Sequence, residues 1–278
     1  MTDEWTSPGP AWLFCPADRP ERYAKAAAVA DVVILDLEDG VAAADKPAAR
    51  KALVETPLAP DTTVVRVNPA GTPDHELDLA ALRETDYRLL MLPKTESAEQ
   101  VRSLTGYLVV ALVETPAGVL AFERIAHVDN TVAVMSGAED LVAALGGTSS
   151  RKPDGGYRDV ARQLRTTGLL AAKAHGRLAL DMVFLDIRDL DGLRAEAEDA
   201  VAVGFDAKVA IHPGQVPVIR AAYAPSPEEV AWARGVLAEA PDHRGVFAYE
   251  GRMVDAPLLR HAGHIVRRAS SSDTAEKR

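Results

Sequence analysis

Eight short β-rich runs recur along the 278 residues, with helical sequence between most of them, and this alternation constrains the fold more than any other feature. The runs are "WLFCPA" (12–17), "DVVILDLE" (31–38), "TTVVRVN" (62–68), "YRLLMLPK" (87–94), "YLVVALVET" (107–115), "TVAVMSG" (131–137), "MVFLDI" (182–187) and "AKVAIH" (207–212). Helix candidates between them include "PERYAKAAAVA", "KPAARKALVE", "HELDLAALRE" and "AGVLAFERIA". Proline near the first turn, and acids or Asn, Asp or Ser ahead of several starts, support them. Strand–helix alternation implies a parallel α/β sheet, and eight strands is the number that closes a (β/α)8 TIM barrel. An open doubly wound sheet is the alternative, but no dinucleotide glycine fingerprint stands at the first strand–helix junction. The barrel is expected over 1–223. A helical arm or lid follows at 224–269, opened by the capped helix "APSPEEVAWARGVLAEA". Residues 270–278 form a polar tail expected to be disordered.

Side chains alternate along a strand, so each run shows one set to the barrel interior and one to the helices. The second run then points Ile34, Asp36 and Glu38 inward, and the third Val64, Arg66 and Asn68. The fourth contributes Leu90, Leu92 and Lys94, and the fifth Leu112 and Glu114. Each set begins apolar and turns polar at its C-terminal end, as a barrel with its active site at that mouth requires. Asp36, Glu38 and Asp39 would there meet Arg66 and Lys94, with Glu114 and Asp140 arriving from the next strands. Five carboxylates against two cations leave an excess that a divalent metal would relieve. An all-oxygen donor set without a Cys or His cluster suits Mg²⁺, with Glu114 and Asp140 as the natural pair. The turn "SGAED" offers the backbone N–H groups of Gly137, Ala138 and Glu139 to a carboxylate or phosphate.

Simpler roles stand beside these. Asp36 is equally suited to a structural ion pair with Arg66 or Lys94. Asp39 suits a cap for the next helix, and Glu114 and Asp140 suit helix-start acids. His212, in "AIHPGQ", lies at the mouth end of the eighth run, where function and loop structure weigh equally. Residues 146–160, rich in Gly, Ser and charge, read as a mobile loop at one rim. They contain Lys152 but no G-x-x-x-x-G-K-[ST] pattern, which rejects a P-loop.

A net charge of −10 without a basic stripe argues against duplex nucleic acid as a partner. Cys15 is the only cysteine, expected to be buried and inert, so no intrachain disulfide forms and a reducing compartment fits. The acidic, proline-containing start is unlike a signal peptide, and no apolar stretch reaches the roughly 20 residues of a membrane helix. A soluble, cytoplasmic protein with no membrane partner is expected.

The motifs "LFCPADRPERYAKA", "ILDLEDGVAAADKPAAR", "VRVNPAG", "MLPKTESAEQV", "LVETPAGVLAFERIA", "SGAEDLVAALG", "GFDAKVAIHPGQ" and "GRMVDAPLLRHA" occur in this order. Together they resemble the citrate lyase β-subunit-like proteins of the HpcH/HpaI aldolase/citrate lyase family, whose relatives include malyl-CoA and citramalyl-CoA lyases. The resemblance spans about Trp12 to Arg268. One departure is Ala17, where many relatives carry glycine after the proline. The resemblance implies a trimeric (β/α)8 barrel with Mg²⁺ held by Glu114 and Asp140. It implies cleavage or formation of the C–C bond of a β-hydroxyacyl-CoA thioester, giving acetyl-CoA or propionyl-CoA and a 2-oxoacid. Arg66 would bind the oxygen that alternates between alkoxide and carbonyl, and Gly137–Ala138 the 2-oxoacid carboxylate. Glu38 and Asp39 would orient Arg66 and water on the metal. Arg19 and Lys25 would contact the CoA phosphates. Asp255 would reach a neighbouring subunit's site and move a proton of the acetyl methyl group. Alternatives are a citrate lyase β subunit acting on an acyl-carrier-protein thioester, a class II pyruvate aldolase, and a catalytically silent CoA- or oxoacid-binding protein.

Overall fold

The computed structural model describes residues 5–243 and 245–275, with side chains to residue 269. It divides into two compact units, Met1–Ile219 and Arg220–Arg278, so the second begins a few residues before the expected change at Ala224. The first unit is a closed eight-stranded barrel in sequence order, every adjacent pair parallel. Its strands are β1 (Ala11–Pro16), β2 (Val32–Asp36), β3 (Thr63–Arg66), β4 (Leu89–Leu92), β5 (Leu108–Val113), β6 (Thr131–Ser136), β7 (Leu178–Asp181) and β8 (Ala207–Ala210). The helices are α1 (Tyr23–Val29), α2 (Lys46–Glu55), α3 (Pro73–Leu82), α4 (Ala98–Ser103), α5 (Pro116–Ala126), α6 (Ala138–Ala144), α7 (Asp159–Ala174), α8 (Leu190–Val203) and α9 (Val216–Tyr223). Their starts follow local chemistry. Thr72 and Thr115 accept backbone N–H bonds at the heads of α3 and α5, and Ser97 and Gln100 form a capping box for α4.

The interior is filled by Trp12, Ile34, Val64, Met91, Leu112, Met135, Leu180 and Val209 with their neighbours, one apolar cluster drawn from all eight strands. Alternation along β2, β3 and β5 carries the chain from this cluster to Asp36, Arg66 and Glu114. Two expectations of alternation are corrected. On β4 the inward residues are Leu89 and Met91, not Leu90 and Leu92. Asn68 does not face the interior, because β3 ends at Arg66. Its amide donates instead to Asp78 of α3 and to the Leu37 carbonyl. The seventh strand is also displaced, from the expected 182–187 to Leu178–Asp181. The whole stretch 178–187 has β-forming composition, and pairing with β8 at Leu180↔Ala207 and Asp181↔Lys208 selects its first part. Leu185 and Ile187 emerge exposed in the loop that follows.

That pairing places an unforeseen charge in the core. Ala207 and Val209 join the interior cluster, so Lys208 points into the helix layer, where it is fully buried. Its Nζ lies 2.7 Å from Asp181 Oδ2, 2.9 Å from Glu196 Oε1 and 2.8 Å from the Met182 carbonyl. Arg165 completes the pairing of Asp181 at 2.6 Å. Burial alone would push the Asp181 carboxyl up; Lys208 and Arg165 outweigh it and hold the group below its ordinary value. Glu196 also accepts from Tyr157 Oη (2.9 Å) and pairs with Arg151 (2.8 Å). The expected mobile loop is thereby anchored, with an Arg151–Tyr157 bridge at its base.

The second unit packs α10 (Pro227–Glu239) and α11 (Ala256–Ala275) with the antiparallel pair β9 (Phe247–Tyr249) and β10 (Arg252–Val254). Its core is Ala233, Val236, Phe247, Val254, Ala262 and Ile265. A capping box of Ser226 and Glu229 starts α10. Residues 270–275, expected in the disordered tail, continue α11, since no Gly or Pro interrupts 264–275. Residues 276–278 of that tail lie outside the described residues. No described helix is long and apolar enough to cross a membrane. Replacing Lys208 by Met leaves Asp181 and Glu196 short of a buried partner. Urea denaturation should show a loss of about 3–5 kcal/mol; a loss under about 1 kcal/mol would mean that Arg165 and Arg151 compensate.

Candidate active site

Register brings the first two site residues together. Asp36 and Arg66 are Cα partners at the ends of β2 and β3. Arg66 grips the carboxylate bidentately, Nε to Oδ1 at 2.7 Å and Nη2 to Oδ2 at 2.5 Å. A third contact, Nη1 to Glu38 Oε2 at 3.0 Å, uses the other end of the guanidinium. Asp36 also accepts the backbone N–H groups of Glu38 and Gly40 at 2.9 and 2.8 Å, which folds 37–40 into a tight loop. A Cβ at Gly40 would collide with the Asp36 carboxylate, so only glycine fits there. Burial would lower the Arg66 pKa, but the Asp36 hydrogen bonds and charge more than offset it and hold the group above its ordinary value. Asp36 is thus the structural ion-pair partner of Arg66.

Lys94 reaches the same mouth through a left-handed backbone turn, φ 49°, just past the end of β4. Its Nζ bonds to Glu38 and lies 3.4 Å from Asp39 and 3.5 Å from Asp140. Burial opposes its charge, and the Glu38 contact raises its pKa well above the ordinary lysine value. Asp39 is exposed and is drawn to Lys94; it does not cap the helix that follows, contrary to the simpler reading. Burial pushes the Glu38 carboxyl up against the pull of Arg66 and Lys94.

Glu114 follows β5 and is buried, 3% exposed. One oxygen accepts the Lys94 backbone N–H at 3.0 Å. The other faces Gly137, where a Cβ would collide with it, so glycine is required at the head of α6. Thr115, not Glu114, caps α5. Asp140, in the first turn of α6, is 42% exposed and turns toward the same mouth. Burial first, then the negative charges of Asp140 and Glu38, raise the Glu114 pKa from 4.5 to about 8. A carboxylate so placed is stable as an anion only with a cation beside it. The all-oxygen pair Glu114–Asp140 fits a hard divalent ion. A cavity lined by Phe14, Arg66, Glu114, Gly137, Ala138 and Asp140 joins these groups.

Phe14 and Tyr157 are among the residues of this cavity that were missed. Phe14 lies under the Arg66 guanidinium, 4.6 Å from carbon to ring centroid; the alternation of β1 from Trp12 would have placed it there. Tyr157 enters from the anchored loop, where no periodicity signals it. Arg19 and Lys25 do not line this cavity. Arg19, exposed, pairs with Asp18 at 3.4 Å before a short 3₁₀ turn, and Lys25 is exposed on α1. Asp255 belongs to the second unit, where its carboxylate accepts the Leu258 N–H at 3.1 Å and caps α11. His212 accepts the Gly214 N–H and holds the turn after β8, the loop role. Cys15 is buried, its thiol pushed up to about 11 by burial, in keeping with inertness.

Residues 11–213 match the family described as HpcH/HpaI aldolase/citrate lyase. The chain belongs to that family. Residues 161–272 also match a C–C bond lyase family of the TIM-barrel fold, and the chain is an enzyme of the carbon–carbon lyase type. Among the relatives of this family member, the citrate lyase subunit beta-like protein of Mycobacterium tuberculosis is 62% identical over 264 residues, 95% of this chain and 97% of that protein. The mitochondrial citramalyl-CoA lyase of Homo sapiens is 33% identical over 95% of this chain and 86% of its own. The crystal structure of protein CitE from Mycobacterium tuberculosis, in complex with magnesium, acetoacetate and coenzyme A, superimposes with a TM-score of 0.90. It is 63% identical, and the match covers 94% of this chain and 98% of that one.

The raised Glu114 pKa makes the metal-free family member sensitive to pH. Its contribution to stability is fully present below about pH 4.5, and is lost as the pH rises through about 8, because the unfolded chain releases this proton earlier than the folded one. Thermal melts in chelator should therefore show wild type falling relative to Glu114→Gln between these limits. Parallel melting curves at all pH values would show that Glu114 is not so perturbed.

Proposed function

We propose that the chain is a Mg²⁺-dependent lyase of short β-hydroxyacyl-CoA thioesters, yielding acetyl-CoA (or propionyl-CoA) and a small 2-oxoacid, or joining them in reverse. The observation that carries this reading is the shared cavity of Arg66, Glu114, Asp140 and the Gly137–Ala138 turn. Structures of the tuberculosis protein hold magnesium with coenzyme A and acetoacetate, and magnesium with pyruvate; coenzyme A, the metal and the 2-oxoacid pyruvate are the ligand types the proposed reaction needs. Held by Glu114 and Asp140, Mg²⁺ would act as a Lewis acid toward the oxygen that changes between hydroxyl and carbonyl.

The protein's own groups supply the rest. Arg66, fixed by Asp36 before substrate arrives, presents a permanent positive charge to negative charge developing on that oxygen. The Gly137–Ala138 backbone takes the 2-oxoacid carboxylate, and Glu38 and Asp39 keep Arg66 and Lys94 in place. Arg19, exposed in the first βα connection, and Lys25, exposed on α1, bind the CoA phosphates. In the cleavage direction the hydroxyl gives up its proton to water, its oxygen forms the new carbonyl as the C–C bond breaks, and the electron pair of that bond passes to the thioester enolate. Asp255, contributed by a neighbouring copy in a homotrimer, protonates that carbon, and in synthesis it removes the same proton.

The test incubates the protein and Mg²⁺ with malyl-CoA, citramalyl-CoA, 3-hydroxy-3-methylglutaryl-CoA and free citrate, and follows products by mass spectrometry. Cleavage of one CoA ester, abolished by chelator and by Asp140→Ala, is expected. Arg66→Lys should lower kcat by about 10²–10³-fold, since lysine cannot make the bidentate contact. Mixing inactive Asp140→Ala and Asp255→Ala chains should restore part of the activity if the site is shared. Silence across the panel by folded protein would transfer the assignment to a citrate lyase β subunit that needs an acyl carrier protein.

A further inference from the structure

At the end of the barrel where strands begin, opposite the mouth, two helices finish side by side. His127 is the C-cap of α5 and His175 the C-cap of α7. Their rings meet edge-on, centroids 4.7 Å apart, with the two Nδ1 atoms facing each other at 3.1 Å. His175 Nε2 lies 2.9 Å from Glu123 Oε1. One donor atom from each of the three residues lies within 4.8 Å of the others, and both Glu123 and His127 are exposed.

Tautomer logic limits what this cluster can hold. An ionised carboxylate only accepts, so the Glu123 contact places a proton on His175 Nε2, and in the neutral imidazole the Nδ1 is then a bare lone pair. The opposing Nδ1 of His127 must then either carry a proton into the gap or share an ion with it. Two imidazoles on one tetrahedral Zn²⁺, at about 2.0–2.1 Å each, stand about 3.3–3.4 Å apart; the gap already approaches that separation. The Glu123–His175 contact is the carboxylate–imidazole arrangement that orients a ligating histidine and raises its basicity. Two helix C-termini converge here, and their partial negative charge favours a cation. Two nearby cations are engaged elsewhere. Arg177 donates to the carbonyls of Ala126 (3.2 Å) and Val128 (3.0 Å), and Lys173 pairs with Asp206 at 2.6 Å.

We propose that His127 and His175 form a second, peripheral metal site, taking a borderline divalent ion of the Zn²⁺ class through their Nδ1 atoms, with Glu123 orienting His175 and solvent completing the shell. Imidazole donors prefer such ions to Mg²⁺, so this site and the oxygen-lined mouth select different metals.

Equilibrium dialysis of the Mg²⁺-loaded protein against Zn²⁺, with metal counted by mass spectrometry, tests this. Wild type is expected to hold one more Zn²⁺ per chain than the His127→Gln/His175→Gln variant, whatever Zn²⁺ enters the mouth of both. Glu123→Gln should retain the ion with about 10–100-fold weaker affinity. Equal zinc content in wild type and double variant would overturn the site. On unaltered protein, Zn²⁺ should protect His127 and His175 together from diethyl pyrocarbonate. Undiminished modification of both would likewise show that the gap holds only a proton.

Discussion

The bidentate contact between Arg66 and Asp36 organises the mouth of the barrel. It joins adjacent parallel strands at matching register, so the fold delivers the two charges to each other without help from loops. The aspartate then has lone pairs left for the backbone of 37–40, and that loop holds Glu38 against the other side of the guanidinium. A charge buried this deeply is tolerated because it is hydrogen-bonded to Asp36 on one flank and paired with Glu38 on the other. The same pairing keeps the side chain rigid over Phe14, and a rigid charge costs no reorganisation when a reacting oxygen becomes negative.

Around that clamp the acids outnumber the bases, and Lys94 only partly redresses the balance. Its left-handed backbone, unusual for a non-glycine residue, costs about 1–3 kcal/mol and delivers the ammonium to Glu38, Asp39 and Asp140 together. Glu114 gains only a backbone N–H from the same turn and no direct cation. The imbalance is therefore sharpest at Glu114, which faces the negative charges of Asp140 and Glu38.

Most of this was legible from two periodicities. Eight β-rich runs indicated the barrel, and the period of two along β2, β3 and β5 identified Asp36, Arg66 and Glu114 as neighbours at one end. The errors arose where a strand ended sooner than its composition suggested. Asn68 lies past the last residue of β3, and 182–187 lies past the end of β7, so alternation no longer governed their side chains. Lys94 was rightly expected at the mouth, but from the wrong parity of β4; the turn at its own φ brings it there. Lys208 was passed over because a lysine within a strand reads as solvent-facing, and its partners Asp181 and Glu196 stand 27 and 12 residues away. Long-range partners of this kind carry no local pattern.

Barrel closure has a consequence for how the chain reaches its native state. The last seam joins Trp12 of β1 to Val209 of β8, about two hundred residues further along the chain. At a synthesis rate of about 5–20 residues per second, the first strand waits roughly 10–40 s on the ribosome for its partner. Through that interval one edge of β1, bearing a large indole, has no strand to pair with. A seven-stranded sheet formed in that interval would keep an open edge until the segment that brings Lys208 to Asp181 completes the barrel.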